Sequence, residues 1–157
     1  AFKDGSNVEA RVQMSVAALE AGIAFNNASV TIIHGMSRPI GALFHVAHGI
    51  SNAMLMKECL TFALPGAYDK FADLARAINV ADDKDSDEVA AEKYLKAVEM
   101  LTKTLEIPSL EAYGIDKQAF FDVIDKMAFD AMASGSPQNT MRDVTEDDVK
   151  EIYKKLW

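Results

Sequence analysis

All three histidines of the 157-residue chain, and three of its eight glycines, lie between His34 and Asn52, in the stretch His-Gly-Met-Ser-Arg-Pro-Ile-Gly-Ala-Leu-Phe-His-Val-Ala-His-Gly-Ile-Ser-Asn. Glycine and proline at this density set where helices begin and end, so this stretch constrains the fold more than any other. Imidazole holds borderline divalent metals in its neutral form and passes protons near pH 7, so chemistry is expected in the same place. Pro39 fits the first helical position with Ser37 as its N-cap, which starts a helix in mid-stretch. His34 then stands just before one bend and His48 just before another at Gly49. By spacing, His45 and His48 share one helix face, and His34 joins them only if the chain folds back. Three satisfied polar rings at helix ends remain an open alternative on spacing alone.

The rest of the chain reads as helix. Residues 6–24 carry Val8, Val12, Val16, Leu19 and Ile23 at helical spacing behind Ser6 or Asn7 as cap. The small and β-branched run 28–33 has no partner strand anywhere and is read as buried helix leading to His34. A helix from His48 to about Phe62 is expected to face Ile50, Met54, Leu55, Cys59 and Phe62 inward. Leu64-Pro65-Gly66 stops it, and a short helix over 68–78 points Phe71, Leu74, Ala75 and Ile78 to the core. A longer helix over 86–105 carries Val89, Leu95, Val98, Leu101 and Leu105. Asp116 caps a helix with an inner stripe of Phe120, Val123, Ile124, Met127 and Ala131, and 133–139 is the longest loop. Thr145 with Asp148 forms a near capping box before Val149, Ile152, Tyr153 and Leu156. The expected fold class is therefore all-α, in one domain spanning residues 1–157.

Composition narrows the function. Sixteen basic against 24 acidic residues give a formal charge of -8, which opposes nucleic acid and anionic membranes as partners. No apolar run approaches the roughly 20 residues of a membrane span, and the N-terminus lacks the pattern of a signal peptide. The one cysteine, Cys59, sits in an apolar-patterned run and is read as a buried thiol in a reducing cytoplasm. The acidic run 82–88 invites a calcium loop, but Glu88 and Tyr94 stand where such a loop needs Gly and Glu; a solvated loop capping the next helix through Ser86 fits better. A dinucleotide Gly-x-Gly-x-x-Gly, a P-loop, a Glu-x-x-His pair and a hydrolase elbow at Ser134 are all missing.

The order His-Gly-x-x-x-Pro-x-Gly, then His-Gly-x-x-Asn, resembles the metal-binding signature of the iron-containing, group III alcohol dehydrogenases. The end of the chain, Gly135-Ser-Pro-Gln-Asn-Thr-Met-Arg142, then Thr145-Glu-Asp-Asp148, Ile152-Tyr153 and Trp157, is similar to that family's closing loop and last helix. The resemblance implies a dehydroquinate synthase-like C-terminal helical domain. It places two of four metal ligands on His34 and His48; the others, an Asp and a His on an earlier helix, have no counterpart, so the chain is expected to be a fragment lacking the N-terminal nucleotide-binding half. It implies hydride transfer between NAD or NADP and a small alcohol, aldehyde or ketone at Fe(II), with Zn(II) also accepted by such ligands. Arg38 stands where many members have His, next to the substrate or cofactor. A guanidinium is no base near pH 7 but holds a carboxylate or a phosphate with its bidentate fork, so Arg38 is expected to favour an acidic substrate group. His45 matches no ligand position; it is a second candidate for lining the site, beside the commoner alternative of a structural or surface role. No catalytic residue is assigned. Two other functions stay open: a different metal enzyme of the superfamily, such as a transhydrogenase, and a non-catalytic helical remnant that only packs or forms a homo-oligomer.

Overall fold

A computed structural model describes residues 1–157 as nine α-helices and two short 3-10 turns, without a strand. The all-α expectation therefore holds. The chain divides into two compact units, Ala1–Val30 and Thr31–Trp157. The first is essentially one helix, α1 (Val8–Ala28), capped by the Asn7 side chain, which accepts from the Ala10 amide at 3.0 Å. Its apolar stripe is real, but Val8, Val12, Val16, Leu19 and Ile23 are each at least half exposed. The helix outruns its expected end and then breaks, because Ser29 takes φ 69° and Thr31 is extended. The run 28–33 is thus not continuous helix.

The second unit is built on α2 (Ile32–Phe44). Pro39 lies inside this helix and Ser37 is fully buried in its middle, so neither marks a helix start. Proline suits a helix start because it lacks an N–H, but inside a helix it removes only one bond, here the one the Gly35 carbonyl would accept, and α2 continues past it. On either side of that carbonyl, Ser37 Oγ donates to the His34 carbonyl at 3.2 Å and the Tyr153 hydroxyl donates to the Met36 carbonyl at 2.7 Å. The real start is at Ile32, whose N–H donates to Thr140 Oγ1 at 3.1 Å.

Around α2 stand α3 (His48–Ala63), α4 (Tyr68–Ala77), α5 (Asp87–Thr104), α6 (Leu110–Tyr113), α7 (Lys117–Asp122), α8 (Ile124–Ala133) and α9 (Glu146–Lys154). Ile32, Met36 and Ile40 of α2 join Leu55, Cys59, Phe120, Met127, Val149 and Tyr153 in the main core. Burial of each large apolar side chain stabilises the fold by about 1.5–3 kcal/mol. Cys59 is fully buried with its sulfur 3.7 Å from that of Met36, and burial pushes its thiol pKa far up, so it is a packing residue.

Elsewhere the stripes are right in period and rotated in detail. Helices α4 and α5 meet through Ala72, Ala75 and Ala90, while Leu74, Ile78, Val89 and Leu101 stay exposed. Small residues let two backbones approach closely, and hydrophobicity alone ranks them below the leucines they displace. The helix after Asp116 is two helices, broken at Val123, whose N–H reaches only to Phe120 at 3.3 Å. The acidic run is ordered without a cation: Asp85 accepts from Lys93 and from the Asp82 amide, Arg76 bonds Asp87, and Ser86 caps α5. No single helix is long and apolar enough to cross a membrane.

At α9 the capping box is complete. Thr145 Oγ1 accepts from the Asp148 amide, and the Asp148 carboxylate accepts from the Thr145 N–H and hydroxyl. Those bonds hold the Asp148 pKa below its ordinary value of 3.8. Thr145→Ala is expected to cost about 0.5–2 kcal/mol in denaturant unfolding. Because the folded pKa is depressed, the Asp148 contribution is complete above the ordinary value and lost as pH falls through the folded one. The stability gap between wild type and Asp148→Asn should therefore narrow on acidification below about pH 4; a gap constant down to pH 2 would refute this account.

Candidate metal centre

His34 lies in the first turn of α2 and His48 is the first residue of α3. The turn at 45–47 reverses the chain so that the two helix beginnings come together. Their rings stand 5.3 Å apart, centroid to centroid, tilted by 56°. Two imidazoles sharing one tetrahedral ion with metal–nitrogen bonds of about 2.0–2.1 Å would have centroids about 5 Å apart, so the pair has the separation a shared metal requires. Burial, then the neighbouring charges of His48 and Arg38, lower the His34 pKa, keeping it in the neutral form that ligates.

His48 is the more exposed ring, and Asn52 one turn later on α3 fixes it: Nδ2 lies 3.1 Å from His48 Nε2. The Asn52 carboxamide oxygen is buried and has no partner. An unsatisfied buried acceptor beside an imidazole marks a polar place that packing does not complete. No third His, Cys, Asp or Glu joins the pair within this chain. The donor set fits a divalent metal as half of a coordination sphere.

His45 does not share a helix face with His48. It is the left-handed C-cap of α2, at φ 55°, exposed and separated from α3 by Val46 and Ala47. Arg38 lies one turn after His34 on the same side of α2, exposed, with Nη1 donating to Ser136 Oγ at 3.3 Å.

That serine belongs to the segment 134–142, which the sequence offered only as a loop. It is a clasp across α2 and α3. A Cβ on Gly35 would lie 2.8 Å from Pro137 Cδ, and one on Gly66 would lie 2.6 Å from the Met141 carbonyl oxygen. Arg142 donates to the Phe62 carbonyl at 2.8 Å and stacks 4.2 Å above the Phe62 ring. Ser136, Thr140 and Arg142 thus tie this segment to α2 and α3, and their one sequence signal was the likeness of Gly135–Arg142 to the family's closing loop.

The family model described as Fe-containing alcohol dehydrogenase family, C-terminal, matches residues 1–157. The chain belongs to this family. It is 31% identical over 150 residues to the NADPH-dependent butanol dehydrogenase of Clostridium saccharobutylicum, covering 95% of this chain and 38% of that protein. With the 1,3-propanediol dehydrogenase of Citrobacter freundii it shares 34% over 154 residues, 98% of this chain and 39% of the relative. The crystal structure of a 1,3-propanediol oxidoreductase superposes with a TM-score of 0.89 at 31% identity, over 98% of this chain and 39% of that one. The chain therefore spans about two fifths of the length of these dehydrogenases and corresponds to their C-terminal helical part.

The clasp makes a test of opposite signs. Gly35→Ala is expected to destabilise by about 1–3 kcal/mol through overpacking against the rigid Pro137 ring. Gly49→Ala, in α3 with nothing within 4 Å of its new methyl, should be neutral or stabilising by up to about 1 kcal/mol. Thermal melting of both variants measures this, and a Gly35→Ala protein as stable as wild type would refute the close contact.

Proposed function

We propose that this chain is the metal-binding part of a nicotinamide-dependent alcohol dehydrogenase that interconverts small alcohols with aldehydes or ketones, with His34 and His48 as two of the metal's ligands. The observation that carries the reading is the facing pair of imidazoles, 5.3 Å apart, in a chain of this family. The family name points to iron, and neutral imidazoles also suit Zn(II), so Fe(II) or Zn(II) is the expected ion. Relatives named for butanol and 1,3-propanediol support a small alcohol as substrate class.

When bound, the metal supplies a Lewis acid that polarises a carbonyl or lowers the pKa of an alcohol. The chain's residues have their own tasks. His34 presents a neutral ring from a half-buried helix start, where burial excludes water from one side. Asn52 fixes the rotation of the His48 ring. Arg38, from α2, and His45, from the turn that follows, are the polar residues we place beside the reacting group, and Arg38 has the stronger support because its charge acts on His34. The coenzyme, NAD or NADP, is expected on other parts of the whole enzyme, since no dinucleotide fingerprint occurs here. A reducing cytoplasm belongs to the same reading, supported by the buried free thiol of Cys59.

Metal content after anaerobic loading with Fe(II) or Zn(II), read by mass spectrometry, tests the proposal. Wild type is expected to retain metal well above a His34→Ala, His48→Ala double variant of equal helicity. Equal and negligible metal in both would overturn the assignment and leave a helical packing unit.

A further inference from the structure

We infer that Arg38 is the anion-recognition residue of this site and selects short substrates that carry a carboxylate next to the reacting carbon, hydroxy acids and oxo acids over neutral alcohols. The inference rests on the metal-site reading above for the position of the reacting group. The recognition of an anion rests on separate observations.

Arg38 and His34 are neighbours at i and i+4 on α2, about 5–6 Å apart at Cβ, so a ligand oxygen near the imidazole pair lies within reach of the guanidinium. One edge of that guanidinium is fixed, because Nη1 donates to the hydroxyl of Ser136. Ser136 is itself 4% exposed and is held in place by its N–H, which donates to Ser134 Oγ at 3.2 Å. The Gly35–Pro137 contact pins the same segment against α2. The rest of the fork is exposed.

No carboxylate pairs with Arg38; its one side-chain partner is the neutral hydroxyl of Ser136, which leaves the charge free for a ligand. No Asp or Glu joins the histidine pair either. A guanidinium held on one edge, with no carboxylate partner and one turn from the imidazole pair, is built to accept a carboxylate through paired N–H bonds. The single turn between Arg38 and His34 limits how far that carboxylate stands from the reacting carbon.

The test is a titration of the 157-residue chain, metal-free and Zn(II)-loaded, followed by the NMR signals of the Arg38 side chain and the Ser136 amide. Glycolate, its neutral counterpart ethylene glycol, and inorganic phosphate are added to wild type, Arg38→Gln and Arg38→Lys, all checked for equal melting. Wild type is expected to bind glycolate about tenfold more tightly than ethylene glycol, as a charge-assisted contact requires. The ratio should fall to about one in Arg38→Gln and to an intermediate value in Arg38→Lys, whose point charge lacks the fork. A ratio near one in wild type, or an undiminished ratio in Arg38→Gln, overturns the inference. So does phosphate bound more tightly than glycolate with the same dependence on Arg38, since the anion would then be a phosphate such as the coenzyme's. A chain that takes up no Zn(II) yet keeps an Arg38-dependent preference for glycolate supports anion recognition and sinks the metal-site reading alone.

Discussion

The approach of residues 136–142 to helix α2, closed to a distance that leaves no room for a Cβ at position 35, sets the place of the polar groups along the first turns of that helix. Pro137 lies over Gly35 while Thr140 takes the first N–H of the helix and Ser136 takes the Arg38 guanidinium. A helix beginning normally leaves its N–H groups to solvent or to its own cap. Here a side chain 108 residues away supplies the partner. The start of α2, and with it His34, is thereby fixed by tertiary contact.

The same logic explains how α2 tolerates Pro39. Proline removes one backbone bond and crowds the preceding turn, a cost of about 3 kcal/mol in an isolated helix. The buried Tyr153 hydroxyl bonded to the Met36 carbonyl, and the Ser37 hydroxyl bonded to the His34 carbonyl, add bonds on either side of the Gly35 carbonyl that Pro39 leaves without its helical donor, and the Tyr153 bond ties that turn to α9. Met36 in turn touches Cys59 of α3, so one side chain joins the proline-bearing helix to its neighbour. Once α2 is held this way, its exposed face carries His34 and Arg38, and α3 begins close enough to bring His48 alongside. The make-up of this place follows from that arrangement: two facing rings, no carboxylate among them, and one cation held by Ser136.

Much of this was legible in the chain itself. Three histidines gathered in one stretch pointed to the place where two of their rings come to face each other, and Cys59 was recognisable as a core residue from its apolar neighbours. The caps at Asn7, Ser86, Asp116 and Thr145 lie where side-chain chemistry demands, because a cap is a bond between residues three apart and depends on nothing distant. What the pattern missed was orientation. Leu74 and Val89 look like core residues and are exposed, because α4 and α5 meet through alanines that let the backbones come close. Whether a helix buries its largest or its smallest residues depends on its neighbour's shape, which no single segment encodes.

The sequence by itself determined the all-α class and the caps, that of Ser86 in the acidic run among them, and its likeness to a family motif named the two histidines that face each other, since each depends on local bonding or on the short-range order of a motif. Only the tertiary structure decided that Pro39 lies within a helix, that His45 ends α2 in a left-handed turn, that the segment after α8 is a clasp, and that Arg38 stands oriented and uncompensated beside the rings. These are contacts between residues up to about a hundred positions apart, and their energy exists only once the intervening chain has folded.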